Sequence, residues 1–288
     1  MTTELEHAPQ SQNGAVPPGA QPPAEERPRW PVWFGPAAFF AGLFATLIAF
    51  ALAGAVAAAI GHKLPNDSPG VELGGTLAQD AFFVIAAVVF ASFVAPPRPW
   101  QFGLRSAPLK PTLRQAGLAL GAFYIFAVAY IGIFNPHGQQ SVAKDLGANN
   151  GGLDMVLGAI LVIALAPAAE EFFFRGFFYR ALRSRFTMIT AAIIDGLVFG
   201  AIHYTDPKTL SLLPILAVLG FIFCLLYERT GTLLAPIALH SINNAIAYAS
   251  AVHSAGALSA ALAVVVVTIC VTLLRTLGAP VPRAATPG

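Results

Sequence analysis

Eight apolar stretches of bilayer length dominate this 288-residue chain, at roughly 34–60, 74–95, 113–134, 153–178, 189–205, 209–227, 232–250 and 257–275. A helix needs about 20 apolar residues to cross a hydrocarbon core of ~30 Å. Lipid offers no partner to backbone N–H and C=O groups, so such stretches fold as helices that satisfy themselves. Only 10% of the residues are charged, against about 25% in a soluble domain. The sequence therefore predicts an all-α, polytopic membrane protein, with about eight transmembrane helices packed in one bundle within the lipid bilayer.

Polar or Pro-rich breaks at Lys63–Gly70, Pro96–Pro111, Asn135–Asn150 and Asp206–Lys208 separate most of these stretches. The expected organisation has five parts: a tail over 1–30, about three N-terminal transmembrane helices over 31–150, a helical core over 151–252, a last transmembrane helix over 253–277, and a C-terminal tail over 278–288. The first tail is rich in Pro, Gln, Gly and Glu, which predicts disorder, and it lacks the apolar centre of a signal peptide. If the N-terminus is inside, twelve Lys and Arg fall on the cytoplasmic side against Lys63, Lys144 and Lys208 outside, with Arg175 in the membrane completing the sixteen. The positive-inside rule then places both termini in the cytoplasm. An abundance of Ala, Pro and Gly suggests a GC-rich bacterial genome, and with it the bacterial cytoplasmic membrane. No basic stripe with interleaved aromatics points to nucleic acid. Cys224 and Cys270 lie far apart in separate spans and read as small buried hydrophobes. Gly117/Gly121 and Gly196/Gly200 carry the small-xxx-small spacing of closely packed helices.

The fourth stretch contains Glu170-Glu171-Phe172-Phe173-Phe174-Arg175. A charged side chain in a membrane helix costs ~2.5–3.5 kcal/mol on insertion scales, and intramembrane ionisable groups mark functional sites. Glu171 and Arg175 are i,i+4 and share a helix face as an ion pair. Glu170, about 100° around the helix, points elsewhere. Two later stretches each carry a deep histidine, His203 and His240. From the turn between the fourth and fifth stretches, Glu170 lies 16.5 residues back and His203 16.5 residues forward, so an antiparallel pair holds them at one depth. His240 enters from the same side, nine residues after Gly231, or ~13 Å. Asp206 and Lys208 follow His203 closely and draw it toward the outer side or an aqueous cavity. Asn244 follows His240 by four residues, on the same helix face.

Glu170-Glu171-x-x-x-Arg175, then Phe199-x-x-x-His203, then His240-x-x-x-Asn244 resembles the three-motif signature of the CAAX protease and bacteriocin-processing (CPBP) family, intramembrane endopeptidases related to the type II CAAX prenyl endopeptidases. The match covers about residues 155–250, with all three motifs intact and in order. The resemblance implies cleavage of a peptide bond in a membrane protein or lipidated peptide substrate. It implies that Glu170 activates water with help from His203, that His240 and Asn244 stabilise the oxyanion, and that Glu171, Arg175 and Phe199 support them. Cofactor use stays open at this point. Glu170, His203 and His240 form a set that zinc or another divalent metal would accept, while Asn244 suits a metal-free oxyanion site.

Two other classes fit the same residues: an ion-coupled transporter or proton pathway, since buried Glu, His and Asn serve proton relays, and a non-catalytic immunity or scaffold protein on the same fold. Asp195, near one end of the fifth stretch, and Asp80, near the outer end of the second, read as interfacial or helix-stabilising. His62, His137 and His253 read as solvated, and the phenylalanine run from Phe172 to Phe178 as lipid contact and packing.

Overall fold

The computed structural model describes residues 29–62, 68–136, 142–205 and 207–277. Eight principal helices follow in chain order: α1 (Phe34–Ala59), α2 (Pro69–Ser92), α3 (Leu109–Phe134), α4 (Gly152–Arg183), α5 (Met188–Ile202), α6 (Leu213–Thr230), α7 (Leu234–Ala251) and α8 (Gly256–Thr276). Short helical turns lie between them, and no strand occurs among the described residues. Six of the eight are long and apolar enough to cross a membrane; α5 is apolar but has only 15 residues, and the polar groups of α7 keep it out of that set. The protein is a helical integral membrane bundle. The expected tails fall outside the described residues except for Arg29 and Trp30, and Trp30 is buried between Phe102 and Phe177.

Two helix boundaries matter for the site. α2 starts at Pro69, five residues before the apolar run at 74. Ser68 caps it by accepting from the Val71 N–H at 3.3 Å, Pro69 occupies the first turn, and Glu72 complements the helix dipole. This early start moves Asp80 from the end of a span to the middle of one. α5 ends at Ile202, so His203 stands at its C-cap and not inside the helix.

Aromatic packing fixes the directions of the helices. Phe34 packs on Phe90 and Phe93, and Phe39 on Phe83, so α1 and α2 are antiparallel. Gly35 meets Phe178 while Phe39 meets Phe173, so α1 is antiparallel to α4 as well. α2 and α4 therefore run parallel. The phenylalanine run is core and not lipid contact: Phe173, Phe174, Phe177 and Phe178 are buried. α5 and α6 cross closely at Gly196 and Gly200, where a Cβ on Gly196 would come within 2.5 Å of the Ala217 carbonyl oxygen. Gly117 and Gly121 face open space, so that pair makes no close helix contact. Large apolar side chains such as Phe44, Leu47, Ile125 and Ile133 stay exposed on α1 and α3, where a bilayer supplies the apolar surroundings that water does not.

Candidate active site

α4 is continuous in outline but holds two π-helical segments, Leu161–Leu165 and Phe172–Phe178, on either side of Glu170 and Glu171. Wider turns of this kind are rare overall and frequent at functional sites. The first leaves the Val162 carbonyl to accept from Asn244 Nδ2 at 2.9 Å, which ties α7 to α4.

Glu171 and Arg175 form a fully buried pair, with Arg175 Nη1 donating to Glu171 Oε1 at 3.0 Å. The rest of the guanidinium is enclosed. Its Nη2 donates to the Gly220 carbonyl at 3.0 Å, its Nε lies 3.6 Å from Asp195, and it sits 4.4 Å from the Phe199 ring centre. Cys224 donates to Asp195 Oδ1 at 3.1 Å. Asp195 is thus a fully buried counter-ion and not an interfacial residue. The α5–α6 crossing carries it inside, and nothing in a linear apolar run marks that face. A planar guanidinium with five donors is the cation suited to such a network.

The same Glu171 Oε1 lies 3.0 Å from His240 Nδ1. An ionised carboxylate only accepts, so Nδ1 carries the hydrogen and donates. This bond turns Nε2 toward Glu170, whose Oε2 is 3.8 Å away. Phe199 and Phe223 flank the imidazole at 5.8 and 5.2 Å between ring centres. The Glu170 Oε2 atom is buried and makes no hydrogen bond among the described residues.

Phe174 and Phe199 meet with ring centres 5.3 Å apart. One turn back along α4 stands Glu170, and one turn forward from Phe199 stands His203, so the antiparallel register brings these two to one level. His203 Nδ1 lies 2.7 Å from the Phe199 carbonyl. That oxygen can only accept, so Nδ1 donates and Nε2 of the neutral ring is left as an acceptor. Asp206, which draws on water in the sequence, lies outside the described residues.

Asn244 accepts from Asn243 Nδ2 at 3.4 Å, and Tyr124 donates to Asn243 Oδ1 at 3.4 Å. α3 therefore reaches the site through Tyr124, a contact with no sequence signal. Asp80, expected near the outer end of its span, is buried at mid-helix beside α4, because the cap at Ser68 lengthens α2 toward its N-terminus. His62 and His253 are exposed, as expected; His137 lies outside the described residues.

The described residues contain no group of three or more His, Cys, Asp and Glu arranged to hold a metal ion. Glu170, His203 and His240 do not converge as a ligand set. Each imidazole donates from Nδ1, His240 to Glu171 and His203 to a backbone carbonyl, which fixes the tautomer and orientation of both rings. The chemistry below uses side chains alone.

A carboxylate–imidazole cluster enclosed by a helical membrane bundle defines the class, an integral membrane protein with ionisable groups inside its own core. Comparison with known proteins narrows this. Residues 152–246 match the family model described as type II CAAX prenyl endopeptidase Rce1-like. Over that segment the chain is similar to the Rce1-like membrane endopeptidases, and the resemblance carried by its three motifs is borne out. It is 32% identical over 142 residues to an Escherichia coli protein described as "Uncharacterized 24.3 kDa protein", an alignment covering 46% of this chain and 64% of that one. It is 28% identical over 155 residues to "Putative membrane peptidase YdiL" of Bacillus subtilis, covering 49% of this chain and 62% of that one. The chain thus spans less than two thirds of either relative's length. No solved structure matches it.

Proposed function

We propose that this protein is an intramembrane endopeptidase that hydrolyses a peptide bond in a membrane-associated or lipidated protein. Glu170 takes a proton from water as the oxygen attacks the scissile carbonyl carbon, then returns it to the leaving amine. His203 accepts a hydrogen bond from the same water at Nε2 and orients it. His240, held at Nδ1 by Glu171, donates from its protonated Nε2 to the developing oxyanion, and Asn244 supplies its remaining amide N–H. Glu171, Arg175 and Asp195 touch no reacting atom; they hold His240 and α4 in register. Both termini lie in the cytoplasm of a bacterial cell, by the distribution of Lys and Arg.

The observation that carries this reading is His240 placed between two carboxylates: its Nδ1 is held by the fully buried Glu171, and its Nε2 faces Glu170, the more accessible of the two, whose Oε2 makes no hydrogen bond among the described residues. A buried polar group without partners calls for an explanation, and a water positioned for attack supplies one. The test compares membrane proteomes of cells making wild-type protein and Glu170→Gln at equal levels. The reading expects a precursor to accumulate in the variant, longer than its mature form by a peptide segment; the nature of that segment identifies the substrate as a prenylated C-terminus, a leader peptide or another anchor. Identical proteomes would overturn it. Loss of ion-coupled uptake in Glu170→Gln proteoliposomes, without any precursor, would favour a transporter.

A further inference from the structure

Phe83 of α2 and Phe173 of α4 pack together, with ring centres 4.7 Å apart. The two helices run parallel, so a step of three residues back along each reaches Asp80 and Glu170 on the same facing sides. Asp80 is only 7% exposed, and among the described residues its Oδ2 makes no hydrogen bond, nor does Glu170 Oε2. α2 packs directly on the Ala166–Glu171 segment of α4 that carries Glu170.

Among the described residues, the elements packed around Asp80 turn no cation toward it. α1 carries no ionisable side chain, and α2 offers only Glu72, two turns away. α4 presents Glu170, Glu171 and Arg175, with Arg175 committed to Glu171, Asp195 and the Gly220 carbonyl. α7 presents His240, which faces Glu170 and Glu171. With the imidazole of His240 turned to Glu170 and Glu171, Glu170 has a cationic neighbour and Asp80 has none, so Asp80 is the carboxyl that holds a proton. Burying an unpaired carboxyl is costly, and replacing such a group by an apolar one of similar size is commonly neutral or stabilising. A chain that keeps Asp80 at mid-membrane depth bears that cost for something other than stability.

We propose that Asp80 is a positioning residue of the active site: its protonated carboxyl donates a hydrogen bond to the Glu170 carboxylate, fixing the rotamer of the general base and holding it ready for water. The proposal rests on the role of Glu170 given above, and it brings α2, outside the segment shared with the Rce1-like family, into the function of the site.

The test uses the full-length protein in detergent and in cells, with Asp80→Leu and Asp80→Asn. Infrared difference spectra at neutral pH, wild type minus Asp80→Asn, should show the carbonyl stretch of a protonated carboxyl. In Glu170→Gln that band should shift in frequency, because its acceptor has changed. Asp80→Leu should melt at or above the wild-type temperature, yet process the precursor that accumulates in the Glu170→Gln strain about tenfold to hundredfold more slowly, the cost of a loosened base. Asp80→Asn keeps a neutral donor and should remain within about threefold of wild type, since it retains the bond the base needs. A merely structural Asp80 would lower the melting temperature of both variants and give no band that responds to Glu170. Absence of the band, a wild-type rate in Asp80→Leu, or equal loss in Leu and Asn would each overturn the proposal. If Glu170→Gln itself processes normally while the band still shifts, the base assignment fails and the carboxyl pairing stands.

Discussion

Two faces of a single turn of α4 behave in opposite ways. On one, Glu171 is enclosed: Arg175 and His240 both bind Oε1, Oε2 is buried without a hydrogen bond among the described residues, and the guanidinium continues into Asp195, Gly220 and the ring of Phe199. On the other, Glu170 meets His240 Nε2 at 3.8 Å, and its Oε2 has no hydrogen bond among the described residues. Adjacent residues of one chemical type thus divide the work. The enclosed carboxylate fixes geometry. The more accessible one is, on the proposed reading, the group that exchanges a proton with a substrate water. Rigid surroundings for an incomplete centre are what preorganised catalysis needs.

Substitutions on the two faces separate these roles. The largest effect on turnover belongs to Glu170→Gln, expected to cut processing by about 10²–10⁴-fold, the range of a lost general base. Its melting temperature in detergent should stay close to wild type, because no hydrogen bond to Oε2 is lost. Arg175→Met inverts the pattern. It strands Glu171 and Asp195 as buried charges and should destabilise the fold by about 3–5 kcal/mol, seen as loss of monodisperse protein on size-exclusion chromatography before any assay of activity. If Arg175→Met were stable and only Glu170→Gln unstable, the division between the faces would be reversed.

Asn244→Ala lies between the two. It removes the bond to the Val162 carbonyl, worth about 0.5–1.5 kcal/mol, and one oxyanion donor, worth about 10²–10³ in rate. A thermal shift with no kinetic change would restrict Asn244 to joining α7 and α4. Gly196→Ala tests the frame behind Asp195. Its Cβ would press on the Ala217 carbonyl at the α5–α6 crossing, a cost of about 1–3 kcal/mol typical of overpacking, and the same change at Gly117 should cost far less, as melting curves of the two variants would show. Smallest of all, chelation of divalent ions should leave the processing rate unchanged. A rate lost to chelator and restored by zinc would return Glu170, His203 and His240 to the status of ligands.

The helix count and the level of the site were legible in the sequence. Eight apolar runs correspond to eight principal helices. The symmetric distance of Glu170 and His203 from the turn after Arg185 gives the same register as the Phe174–Phe199 contact, because short-turn antiparallel helices preserve distance along the chain. The Glu171–Arg175 pair follows from i,i+4 spacing alone. The partners of that pair were not legible. Asp195, Gly220 and Cys224 reach Arg175 through the close crossing of α5 and α6, and local spacing says nothing about which face of one helix meets which face of another. The early start of α2 was hidden because Ser68 and Pro69 precede the apolar run; with it went the depth of Asp80. The π-helical turns of α4 were hidden too, since they arise from how the helix is held by its neighbours and not from propensity.

The most direct test of a hydrolytic centre at Glu170 is cleavage of the accumulating precursor by purified protein in liposomes, run in water enriched in heavy oxygen. The account predicts one heavy oxygen atom in the new C-terminal carboxyl group with wild-type protein, and no product with Glu170→Gln. Product formed by Glu170→Gln at the wild-type rate, or a new C-terminus without the label, would contradict it.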